Sequence, residues 1–322
     1  MGRLRMPAEY EAHEGTLIAW PCRDEIYPGA LMAEAREAHA RLAEAIARFE
    51  PVWVIADPAD VEGAVTACGG FATVVELPID DSWIRDSGPI YAFDGPERIA
   101  LDFRFNGWGE KFSPWDRDDA LARAWATAAG HALRPVPMVF EGGSITVDGM
   151  GTAATTTQCL LHPNRNPSMT QTEIEDQICD SLGLDAVVWL PYGLALDDDT
   201  DGHVDNVAAF ARPGTLLLQG CDDPTEDDWV RMDVNRRVAS GHPEMALDFN
   251  DAHGEQMRAR VDSFSYLAYP PRLAASSNDP AMLTTSRSGV MCASLKARSV
   301  STLTFASVSS SPKMGRPSGW SG

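Results

Sequence analysis

The chain has 322 residues, 44% of them hydrophobic and 23% charged, enough to bury a full core. Its formal net charge of -21 argues against nucleic acid or an anionic membrane as partner and favours cationic ligands. The six cysteines are scattered with no Cys-x-x-Cys pair, and the first residues carry no basic segment leading into an apolar run, so reduced thiols in a cytoplasmic protein are expected rather than a zinc knuckle, a disulfide framework or a membrane span.

In chain order, an Ala-rich helix is expected over Leu31–Phe49, with Leu42, Ile46 and Phe49 on one face. A buried strand follows at Val52–Ala56, then a helix over Ala59–Cys68 closed by Gly69-Gly70, and a strand at Thr73–Leu77. The acidic, turn-rich stretch Asp80–Pro89 leads into the strands Ile90–Phe93 and Ile99–Phe105. A helix over Asp118–Ala129 precedes the strand Pro137–Phe140 and the loop Glu141-Gly142-Gly143-Ser144. The hairpin Ile145–Asp148 and Ala153–Leu161 turns at Gly149-Met150-Gly151. Thr172 and Glu175 have capping-box spacing at the start of a helix reaching Leu182. The strand Ala186–Leu190 then leads to Asp201–Asn206 and the hairpin Val207–Ala211 and Thr215–Gln219.

Three units thus share one grammar: helix, strand, acidic Gly-containing loop, strand, Gly turn, strand. Asp86, Glu141 and Asp201 recur at a period of roughly 55–60 residues, which predicts an α/β propeller-like ring of similar modules whose acidic loops converge on one cavity. A partial copy begins at His13-Glu14-Gly15. Composition changes near residue 275. Residues 276–322 contain one acidic residue, Asp279, and are crowded with serine, so the domain is expected over 1–275 with an atypical, disordered or aberrant tail over 276–322.

The recurring loops place Asp86, Glu141 and Asp205 in equivalent slots, with His203 beside the last. Paired carboxylates can hold a planar, forked guanidinium with charge-assisted hydrogen bonds, and Trp83 can stack on its face. Each residue alone is ordinary turn chemistry; the recurrence is what points to a site. His203-x-Asp205 could begin a metal site, but no second histidine lies nearby to complete a zinc set, and none is expected. Glu141-Gly142-Gly143 lacks the Gly-Lys-Ser/Thr of a phosphate loop, and there is no Gly-x-Ser-x-Gly elbow.

The segments MPAEYEAHEGTLIAWP from Met6, DDSWIRDSGP from Asp80, EGGSITVDGMGT from Glu141, NRNP from Asn164 and DTDGHVDNVA from Asp199 resemble the agmatine deiminase family, related to bacterial-type peptidylarginine deiminase. The resemblance runs from about Met6 to about Ser276. It implies the pentein fold, a five-module α/β propeller of ββαβ-like units, and homo-oligomers. It also implies a reaction of putrescine biosynthesis without metal or organic cofactor: hydrolysis of agmatine to N-carbamoylputrescine and ammonia through a covalent cysteine intermediate. By motif, Asp86 and Asp205 would bind the guanidinium, His203 would shuttle protons, Glu141 would orient that histidine, and Trp83 would line the pocket.

The family's Gly-Gly-Gly-Asn-Ile-His-Cys motif, whose cysteine is the nucleophile, is not found in this sequence, and the last module reads as incomplete. After Ser276 a frameshift, a truncation or a gene-prediction fault would account for the change. Cys292, the one cysteine of this region, lacks the family context, so the nucleophile is unassigned; the other cysteines read as buried small hydrophobes. The alternatives are a catalytically inactive guanidine-binding protein, or a peptidylarginine deiminase.

Overall fold

A computed structural model describes residues 3–241 and the backbone of 306–309. The described elements, in order, are β1 (Leu4–Arg5), β2 (His13–Ala19), α1 (Ala30–Ile46), β3 (Val52–Ala56), α2 (Val61–Cys68), β4 (Thr73–Glu76), the single turn α3 (Ile84–Ser87), β5 (Ile90–Asp94) and β6 (Glu97–Arg104). Then come α4 (Gly107–Glu110), α5 (Asp116–Ala129), β7 (Ala132–Val139), β8 (Ile145–Val147), β9 (Thr152–Thr156), α6 (Thr157–Leu160), α7 (Gln171–Leu182) and β10 (Ala186–Leu190). The hairpin β11 (Ala208–Arg212) and β12 (Thr215–Leu218), α8 (Asp227–Gly241) and β13 (Ala306–Ser309) complete the set.

The strands form several small sheets in a mixed α/β fold, ordered β1-β5-β6-β7, β10-β9-β8, β11-β12 and β13-β2-β3-β4. The repeat is visible in the pairing. An antiparallel hairpin, β5–β6, is followed by helix α5 and a parallel strand, β7. The hairpin β8–β9, helix α7 and parallel strand β10 repeat that order, and β11–β12 with α8 begin it again. A parallel partner requires a crossover, and a helix supplies one while covering the sheet. Neighbouring units share their apolar clusters: Leu101, Phe103, Met138 and Phe140 around β6 and β7 pack in one cluster with Val147, Ile174, Leu182 and Val187 of the next unit.

Three local expectations are corrected. The capping box lies at Thr170 and Glu173, not Thr172 and Glu175: the Thr170 hydroxyl accepts from Glu173 N at 3.3 Å, and the Glu173 carboxylate accepts from Thr170 N at 2.7 Å. Both Thr–Glu pairs have the right spacing, and the helix begins two residues earlier than the second would allow. The strand expected to run to Leu161 stops at Thr156, whose hydroxyl accepts from Cys159 N at 3.1 Å and starts α6. β7 begins at Ala132 rather than Pro137 and carries Pro135 and Pro137, which an edge strand tolerates because it need not donate on both sides. Within the stretch 276–322, the backbone of β13 pairs antiparallel with β2. The rest of that stretch, Cys292 included, lies outside the described residues.

The acidic loops all leave the same kind of position, the end of one unit's last strand on the way to the next hairpin. Asp86 lies between β4 and β5, Glu141 between β7 and β8, and His203 and Asp205 between β10 and β11. No described helix is long and apolar enough to cross a membrane.

Candidate active site

The loops meet at Gly143. A methyl group placed on its Cα would lie 2.5 Å from His203 Nδ1, 2.8 Å from Asp205 Oδ2 and 2.9 Å from Asp86 Oδ1. A bare Cα is therefore what lets the three functional groups close on one point. Gly143 N also donates to Asp86 Oδ1 at 2.9 Å, and Trp108 Nε1 donates to Asp86 Oδ2 at 2.9 Å. The buried carboxylate of Asp86 is thus fixed by two neutral donors, and the cations that act on it are His203, whose Nδ1 stands 3.8 Å away, and Arg85.

His203 is buried, and its backbone N–H donates to Asp197 Oδ2 at 3.1 Å and Thr200 Oγ1 at 3.2 Å, which pins the loop beneath the ring. Burial opposes a charge on the imidazole, yet Asp86, Cys159 and Glu141 together hold its pKa well above the usual histidine value. Glu141, wholly buried, faces the other ring edge, with Oε2 3.7 Å from His203 Nε2. Burial alone would raise its pKa; the Arg165 guanidinium, with His203, outweighs that and holds it below the ordinary range. Asp205 is an exposed residue, although protein atoms surround its carboxyl. That partial loss of water, together with Asp86, pushes it up to about 6 against the pull of His203. Trp83 is half-buried and meets the Trp108 ring edge-on, 6.5 Å between centroids, so it borders Asp86 through its neighbour.

All five residues singled out from the sequence therefore come together: Asp86, Glu141, His203 and Asp205 directly, Trp83 at the margin. Three others were not assigned from the sequence. Arg165, in the NRNP segment, is buried between two loops; its Nε donates to Glu141 Oε1 at 2.6 Å, its Nη1 to Asp201 Oδ2 at 2.7 Å and its Nη2 to the Thr200 carbonyl at 3.0 Å. Trp108 lies in a left-handed run, with φ of 62° at Gly107, 55° at Trp108, 83° at Gly109 and 66° at Glu110. Such a conformation costs a non-glycine residue about 1–2 kcal/mol, offset here by the bond to Asp86 and edge-on packing on Phe105 and Phe112. The glycines flanking Trp108 were its only signal.

Cys159 is the third. It reads as core from the sequence, and it is indeed buried, but α6 turns its Sγ to within 4.0 Å of Glu141 Oε2, on the Nε2 side of His203. Burial pushes its thiol pKa up even with His203 beside it, so it carries its proton. The carboxylates of Asp86 and Asp205 are across the ring, toward Nδ1.

The Porphyromonas-type peptidyl-arginine deiminase family matches residues 5–256. The agmatine deiminase of Pseudomonas aeruginosa is 44% identical over 243 residues, 73% of this chain and 65% of that protein. The agmatine deiminase of Ectopseudomonas mendocina is 40% identical over 262 residues, covering 79% of this chain and 68% of its own length. The chain thus spans about two thirds of the length of these relatives. A solved agmatine deiminase of Enterococcus faecalis superposes with a TM-score of 0.70 at 32% identity, over 79% of this chain and 68% of that one. The match over most of the chain and the similarity to solved relatives agree with the three-loop site, and the chain belongs to the Porphyromonas-type peptidyl-arginine deiminase family, alongside the agmatine deiminases.

Proposed function

We propose that this chain is a hydrolase of the guanidinium C–N bond, converting agmatine to N-carbamoylputrescine and ammonia. The observation that carries the reading is the convergence of Asp86, Asp205 and His203 on the bare Cα of Gly143. Two carboxylates at one point can take the N–H fork of a guanidinium, and its delocalised charge replaces water around both. The protonated His203 stands beside them to deliver a proton to departing ammonia. Once neutral, it can accept one from the resolving water. A cysteine thiolate would form the C–S bond that ammonia departure leaves as a thiouronium, and water would break it.

Cys159 does not fit that role, because the imidazole separates it from the carboxylates and its thiol keeps its proton. A nucleophile would come from outside the described residues. The repeated hairpin–helix–parallel-strand units support a pentein-type α/β propeller for the whole fold. Five free cysteines among the described residues support a reducing, cytoplasmic setting.

The test is ammonia release from agmatine by the full chain, with loss of activity in His203→Ala and Asp205→Ala. A second reading, guanidine binding without turnover, is favoured by the serine-rich sequence that stands where the family's cysteine motif would be. It expects agmatine to bind in calorimetry, weakened by Asp86→Ala, with no ammonia released until a complete terminal module is supplied. Failure to bind any guanidine compound would end both readings.

A further inference from the structure

We propose that Glu141, Cys159 and His203 form a binding site for one thiophilic divalent cation of the zinc type, on the edge of His203 turned away from Asp86. The site stands on its own geometry and does not depend on agmatine being the substrate. The three donor atoms lie within 4.8 Å of one another, with 3.7 Å between Glu141 Oε2 and His203 Nε2 and 4.0 Å between Oε2 and Cys159 Sγ. A tetrahedral zinc ion with bonds of roughly 2.0–2.3 Å separates its ligands by roughly 3.3–3.8 Å, so the two pairs that include Glu141 Oε2 need shifts of a few tenths of an ångström and the third pair closes by at most about an ångström.

The second observation is His203 Nε2 itself. The residue is 2% exposed, and this nitrogen has no hydrogen-bond partner among the described residues. A buried nitrogen left in that state is unfavourable, and coordination would satisfy it. The carboxylate is arranged to the same end. Arg165 occupies Oε1 of Glu141 and leaves Oε2 turned toward the nitrogen and the sulfur. Asp86 Oδ1 stands on the far ring nitrogen, 3.8 Å from Nδ1, the side from which a carboxylate orients a metal-bound imidazole.

The donor set selects the ion. One sulfur, one imidazole nitrogen and one carboxylate oxygen suit zinc or cobalt(II), whereas calcium and magnesium require oxygen. On binding, the Cys159 S–H bond gives way to a metal–sulfur bond and the His203 Nε2–H bond to a metal–nitrogen bond, both protons go to water, and no electron moves. The doubly charged ion then faces one thiolate and one carboxylate. Three protein ligands leave a fourth position for water. Because the ion takes the Nε2 lone pair, bound metal would also withdraw His203 from proton transfer.

Cobalt(II) chloride titrated into the full chain is the probe. One equivalent should produce a thiolate-to-cobalt charge-transfer band, removed by Cys159→Ser, with zinc affinity in competition falling at least the roughly 10–100-fold that loss of a ligand's supporting partner costs. Cys221→Ser, at a site apart from these residues, should leave the band in place. His203→Gln, checked for folding by circular dichroism, should weaken the metal without abolishing the sulfur band, and covers the case in which Cys159→Ser does not fold. A wild-type chain without the band would overturn the proposal. So would a band that persists in Cys159→Ser, which would place the metal on another cysteine.

Discussion

Gly143→Ala tests whether the convergence of the three loops is the ligand site. The residue does not have a left-handed backbone, so alanine brings no conformational strain, only a methyl group. That methyl would stand 2.5, 2.8 and 2.9 Å from His203 Nδ1, Asp205 Oδ2 and Asp86 Oδ1, inside ordinary contact distance for all three. Asp86 has least freedom to give, being held by Gly143 N and Trp108 Nε1. Overpacking of this kind costs about 1–3 kcal/mol of stability. Binding suffers more: two charge-assisted hydrogen-bonding groups at about 1.5–3 kcal/mol each are displaced, a loss of about 3–6 kcal/mol or roughly 10²–10⁴-fold in affinity. Calorimetry with agmatine measures it, and thermal unfolding on the same samples separates binding from folding. A folded Gly143→Ala chain that binds agmatine within about threefold of wild type would refute the site.

Arg165→Met should leave the wholly buried Glu141 without its cation and destabilise the chain by about 3–5 kcal/mol in denaturant unfolding. The double variant with Glu141→Gln should recover part of that loss, and no recovery would show that the ion pair is not what Arg165 supplies. Trp108→Phe removes the donor to Asp86 Oδ2 while keeping most of the ring, and should weaken agmatine about tenfold, read by calorimetry. Asp205 titrates at about 6, so agmatine binding should weaken as pH falls through that value and level off above it; a step of the same size in Asp205→Asn would assign it to another group. Asp118, buried and accepting from Asp80 N at 2.8 Å, is raised from 3.8 to about 8. Its folded-state affinity for a proton exceeds that of the unfolded chain. The stability it contributes is full below about 4 and lost as pH rises toward about 8. Asp118→Asn should therefore gain melting temperature over wild type at the alkaline end of that window and not at the acidic end.

What could be read in the sequence was whatever repeats along it. The hairpin, crossover helix and parallel strand recur, so their loops could be aligned, and Asp86, Glu141, His203 and Asp205 stood out by slot rather than by residue type. Partners that join different units leave no such trace. Arg165 reaches Glu141 across 24 residues and Asp201 across 36, and nothing in NRNP says which carboxylates it will meet. Cys159 was hidden by a strand drawn five residues too long; TTTQCLL is as apolar as a strand, and only the Thr156 cap ends it. Local degeneracy accounts for the capping box, where two Thr–Glu pairs of equal spacing overlap.

The charges of the site also explain why its two sides differ. Four acidic side chains near one histidine would repel one another unless compensated. Glu141 and Asp201 share Arg165, and Lys111 adds a second cation at Asp201. Arg85 acts on both Asp205 and Asp86 but is already paired with Glu9, and the hydrogen bonds that Asp86 receives come from neutral N–H donors. The negative charge with no guanidinium of its own bonded to it therefore lies at Asp86 and Asp205, on the Nδ1 edge, where a guanidinium ligand would supply both charge and a matching fork of donors. On the Nε2 edge the carboxylate is already neutralised by Arg165, and what remains is a thiol and a ring nitrogen without a hydrogen bond, groups that become lone-pair donors once their protons leave. One imidazole thus faces two chemistries. The carboxylate edge selects an organic cation by hydrogen bonding, and the sulfur edge selects a metal by coordination.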